Sequence, residues 1–90
     1  MELTELRQEI DRLDEQLLAL FLRRMALSRE VADFKRENGL PVLNEARERE
    51  ILAQVQEKSG ELGAYARRLF SELMAISRAY QESLLKEARA

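Results

Sequence analysis

From Leu6 to Phe34 a row with steps of three and four is apolar at every position but one: Leu6, Ile10, Leu13, Leu17, Leu20, then Arg24, then Leu27, Val31, Phe34. That rhythm is one face of an α-helix. It predicts a single helix from about Thr4, read as its N-cap, to about Asn38, where Asn38-Gly39 supplies the stop. About 34 residues rising 1.5 Å each extend about 50 Å. A compact monomer of 90 residues is only about 25–30 Å across. The helix therefore outruns its own domain and leaves its apolar row in water. Pairing with a second chain removes the conflict.

Two more helices and no strand are predicted after it. Leu40-Pro41-Val42-Leu43 reads as a loop, and Asn44 as the N-cap of a second helix over Glu45 to about Glu57. Lys58 to Gly63 breaks the pattern, and a third helix follows from about Ala64 to Lys86. The expectation is one all-α domain over residues 1–90, with helices long, short and long. Composition agrees: 36% of residues are charged and 46% hydrophobic, with three Gly and one Pro, and good helix formers dominate. The formal net charge of −2, with both signs interleaved, gives nothing for nucleic acid or an anionic membrane to bind. No apolar run approaches the roughly 20 residues that span a bilayer. Met1-Glu2-Leu3 shows no signal-peptide pattern, so a cytoplasmic protein is expected. The chain has no Cys and no His, which removes disulfides and the usual zinc sites. No metal-loop spacing is visible, and neither metal nor cofactor is expected.

The informative positions are polar residues in apolar rows. In the first helix the rhythm passes from Leu20 through Arg24 to Leu27, so an arginine occupies the seam. There it needs an ion-pair partner or a bound anion. Lys35 follows eleven residues later on nearly the same face. In the second helix Asn44 and Glu48 head a row that continues with Ile51 and Val55. In the third, the row Phe70, Met74, Ser77, Gln81, Leu84 carries two uncharged polar groups one turn apart. Taken singly, each has an ordinary explanation. A seam arginine most often sets register, Lys35 suits solvated surface, Glu48 suits a helix start, and Ser77 eases helix contact. Taken together, three helices break register toward one volume. Arg24, Lys35 and Arg47 suit a small dianion, Glu48 and Asn44 a hydroxyl, and Ser77 and Gln81 neutral hydrogen bonding.

The ordered set of residues resembles the small all-helical chorismate mutases across essentially the whole chain. It consists of Leu6-Arg7-Gln8-Glu9-Ile10-Asp11, Leu13-Asp14, Leu17 to Leu20, Arg23 to Leu27, Val31, Lys35, Pro41-Val42, Arg47 to Glu50, Ser77 and Gln81. The resemblance implies an intertwined six-helix homodimer that converts chorismate to prephenate without a cofactor. It implies that Arg24 binds a substrate carboxylate, joined by Arg7 from the partner chain. Lys35 and Gln81 would donate to the ether oxygen of the breaking bond. Glu48, with the helix start near Asn44, would hold the ring hydroxyl, and Ser77 the ring carboxylate, with Arg47 also at the site. Family members commonly carry Asp where this chain has Asn44, so a capping role is expected to survive there and a charge-dependent one is not.

Such residues suit a Claisen rearrangement, which needs no acid, base or nucleophile. Cations that clamp two carboxylates hold the reacting ends together. Donors aimed at the ether oxygen favour the transition state, where negative charge grows on that atom. A competing expectation is a non-catalytic or weakly catalytic helical domain. It would bind prephenate or chorismate, or only dimerise, on behalf of a fused or partner aromatic-pathway enzyme. A plain helical scaffold is the third.

Overall fold

The computed structural model describes residues 1–89. Helix α1 covers Leu3–Glu37, α2 Glu45–Lys58 and α3 Gly63–Arg89, with a short 3₁₀ turn at Gly60–Leu62. The described residues form no strand, and the long, short, long order follows the apolar periodicity.

The helix ends show which local signals decide. At the start of α1 the cap is Glu2, in extended conformation and without a side-chain cap bond; Thr4 lies inside the first turn. The carbonyl of Glu2 accepts from the Leu6 amide at 3.1 Å, so the helix begins before the residue whose hydroxyl could have capped it. At the other end Gly39 takes φ +64°. Leu40 N–H then reaches the Lys35 carbonyl at 2.8 Å, and Gly39 N–H the Arg36 carbonyl at 3.4 Å. Those paired bonds are a Schellman closure, which needs the left-handed conformation glycine adopts without strain. Asn44 caps α2 as expected, its side-chain oxygen accepting from the Arg47 amide at 3.0 Å. The joint between α2 and α3 is tight. A Cβ at Gly63 would lie 2.8 Å from the Gln56 carbonyl oxygen, so α3 starts one residue early on a glycine. It then runs three residues past Lys86, to Arg89.

Helix α3 packs against both α1 and α2, while those two do not pack on each other. The chain measures 53 × 27 × 14 Å, and its smallest dimension is little more than the roughly 10–12 Å width of one helix. Its radius of gyration of 16.4 Å exceeds the roughly 12 Å of a compact domain of this length. A layer one helix thick buries little: the buried apolar residues are Ala32, Val42, Met74 and Leu85. Leu6, Ile10, Leu13, Leu17, Leu20, Leu27, Val31 and Phe34 remain 43–60% exposed. Among the described residues no helix is long and apolar enough to cross a membrane.

Candidate functional site

A cavity of about 320 Å³ opens between the three helices. From α1 come Arg24, Leu27, Ser28 and Val31; from α2, Arg47 and Ile51; from α3, Ser77 and Gln81. Apolar side chains form part of the wall, and the polar groups fall into two sets. Arg24 and Arg47 are cations. Arg24 is half-buried and has no carboxylate partner among the described residues. Arg47 is exposed and also pairs with Glu50 on its own helix, at 2.7 Å.

Ser28, Ser77 and Gln81 form the neutral set. The hydroxyls of Ser28 and Ser77 are in contact across the α1–α3 interface. The Gln81 amide nitrogen donates to Ser28 Oγ at 3.0 Å and reaches Ser77 Oγ at 3.4 Å. Ser28 and Gln81 are each 6% exposed. Gln81 Oε1 is buried without a hydrogen-bond partner, an arrangement that costs about 1–3 kcal/mol when left unmet.

Other residues singled out by sequence lie around this cavity, not in it. Glu48 is ion-paired with Arg78 of α3, and both side chains are partly covered. Lys35 lines an adjoining depression with Glu30, Phe34 and Leu40 that shares the Leu27 and Val31 walls. Eleven residues past Arg24, it sits on the same face but about 16 Å farther along the helix. Its Nζ donates to the Val42 carbonyl at 2.5 Å. Asn44 spends its side-chain oxygen on the α2 cap. Arg7 is exposed and seventeen residues from Arg24, about 25 Å away along α1. It cannot reach the cavity of its own chain.

One residue in the cavity wall, Ser28, and one beside the cavity, Arg78, escaped the sequence reading. Ser28 lies beside the apolar row, next to Leu27, and its signal was the spacing of one turn from Arg24. Arg78 follows Ser77 at four residues from Met74, a place in the row where a long cation can meet α2. Chemically, the cavity presents cations at its sides and uncharged donors in its floor, a combination that fits a small polyanion with an ether or hydroxyl oxygen between its charged groups.

Comparison with known proteins gives a consistent result. The family described as chorismate mutase type II matches residues 6–82. The bifunctional chorismate mutase/prephenate dehydratase of Aquifex aeolicus is 43% identical over 54 residues, covering 60% of this chain and 15% of that protein. The T-protein of Haemophilus influenzae is 40% identical over 84 residues, 93% of this chain and 19% of that protein. The chorismate mutase of Methanocaldococcus jannaschii is 28% identical over 91 residues, 98% of this chain and 92% of that protein. The chain thus spans less than a fifth of two of these relatives and nearly all of the third.

Proposed function

Because this chain belongs to the chorismate mutase type II family, we propose that it rearranges chorismate to prephenate in the cavity between its helices, as half of an intertwined homodimer. The observation that carries this reading is the pairing, in one cavity, of the half-buried Arg24 with the buried Gln81 amide. Arg24 clamps a carboxylate, and Gln81 offers a hydrogen to the ether oxygen as its bond to carbon lengthens. An amide donates without first gaining a proton, and a donor already in place loses nothing to reorganisation during the step.

The remaining roles follow from position and chemistry. Lys35 supplies a second donor to the ether oxygen by exchanging the Val42 carbonyl for substrate. Glu48, with one oxygen on Arg78, accepts from the ring hydroxyl with the other. Ser77 contacts the ring carboxylate, and Arg47 adds positive charge at the rim. Asn44 holds the α2 start in place. Arg7 completes the carboxylate clamp from the second chain, since its own cavity is out of reach. The exposed apolar row of α1 supports that second chain, because contiguous apolar surface of this extent marks an interaction face. The words prephenate dehydratase in the Aquifex relative's name support a further aromatic-pathway enzyme, fused or associated, as an additional partner.

Loss of chorismate, followed by its ultraviolet absorbance, tests the reading directly. Wild-type protein should consume chorismate far faster than the uncatalysed reaction, and Arg24→Ala should lower the rate by about 100-fold or more with the helical fold retained. A folded wild-type dimer no faster than the uncatalysed reaction would sink the enzyme reading. It would favour a prephenate-binding regulatory domain, to be measured by calorimetry.

A further inference from the structure

Gln81 has more hydrogens than its visible partners use. Its Nε2 lies 3.0 Å from Ser28 Oγ and 3.4 Å from Ser77 Oγ, and the two hydroxyls are themselves in contact. They therefore stand on one side of the nitrogen, in the direction of a single N–H. A primary amide carries two. One is taken by the serine pair, and the other remains for whatever occupies the cavity.

The two serines do different work. Ser77 rides on α3 one turn from Gln81, so it moves with the amide it touches. Ser28 stands on α1, one turn beyond Arg24, in the wall of the same cavity. Its hydrogen bond is the link that ties the α3 amide to the helix carrying the arginine. We propose that Ser28 is a positioning residue for the rearrangement: it sets the direction of the free Gln81 N–H and its spacing from Arg24, so that carboxylate clamp and ether donor act on one substrate pose. This inference rests on the mutase reading above. Ser28 need not touch substrate to do this, because it acts through Gln81.

A double-mutant cycle tests it, with kcat and KM measured for wild type, Ser28→Ala, Gln81→Ala and the double variant, alongside thermal unfolding. Alanine is the stronger helix former, so Ser28→Ala leaves α1 able to fold. The expected result is a fall in kcat of about five- to twentyfold for Ser28→Ala, with KM within about twofold of wild type. In the Gln81→Ala background, Ser28→Ala should change kcat no further. A role in packing alone predicts the same factor in both backgrounds, and that outcome overturns the inference. So does an unchanged kcat in the single variant. A folded wild type without activity fails differently, since it removes the mutase reading itself and the inference along with it.

Discussion

The two halves of α1 share one periodicity and meet different surroundings. From Leu3 to Leu20 every residue is exposed. From Phe21 onward, Phe21, Arg24, Met25, Ser28 and Ala32 are covered in whole or part by the rest of the chain, while Leu27, Val31 and Phe34 continue the exposed row. The second half therefore has two working faces and the first has one. Followed back by sevens, the Ser28 row meets Phe21, then Asp14 and Arg7. Small and apolar residues under α3 give way to charged ones where α3 no longer covers the helix. One apolar row on a long helix marks a partner; a second row, small and polar, marks the helix that the chain packs on itself.

The largest effect should come from charging the one-faced half. Leu13→Glu with Leu17→Glu would bury two unpaired carboxylates in any dimer seam, at a cost of several kcal/mol. Sedimentation should then show monomers, and activity should fall by more than about 100-fold, because under the proposed assembly the cavity would lose the partner's arginine. A dimer that survives this change breaks the comparison. A smaller loss is expected on the face that α3 covers. Gln81→Glu should leave the assembly intact and lower kcat at neutral pH by about 100-fold. A carboxyl can donate only when protonated, so its activity should be present in acid and decline as pH rises through the carboxyl's titration, where wild type stays flat. Matching pH–rate profiles would remove the donor role of Gln81. The mildest readout joins the two halves. Inactive Arg7→Ala and Arg24→Ala chains, mixed and allowed to exchange, should regain about a quarter of wild-type activity. Half the dimers are then mixed, and each holds one intact site of its two. No recovery after demonstrated exchange would mean that Arg7 serves no site across the seam.

Most of the fold was legible because it is written in local signals. Asn44 and the Asn38-Gly39 stop act within a turn of themselves, and the rows of α2 and α3 needed only period counting. Thr4 failed as a cap because a helix can begin on a backbone carbonyl alone, here that of Glu2. Periodicity placed Arg24 and Gln81 correctly on inward faces, but it fixes an angle around the axis and says little about distance along it. Hence Lys35 shares a face with Arg24 yet lines the next depression. Ser28 and Arg78 were missed for a related reason. Each takes its meaning from a partner on another helix, Ser77 and Gln81 for the first and Glu48 for the second, and such pairings have no spacing within one helix.

The tight joint at Gly63 also bears on the order in which the chain assembles. Helices α2 and α3 are separated by four residues and can close on contacts near in sequence. Helix α1 meets only α3, through pairs such as Ser28 with Ser77, 49 residues apart. Closing so long a loop costs entropy before any contact is gained. Loop closure therefore favours the α2–α3 hairpin as the earlier piece to form, with α1 captured afterwards at the end of a tether. Length can be added to that tether at about 0.6 kcal/mol per doubling. The constraint at Gly63 is of another kind, on side-chain size: even one methyl group there meets a backbone oxygen. Extra residues are thus tolerated cheaply before α2, while position 63 itself takes no side chain without a shift of the backbone it meets.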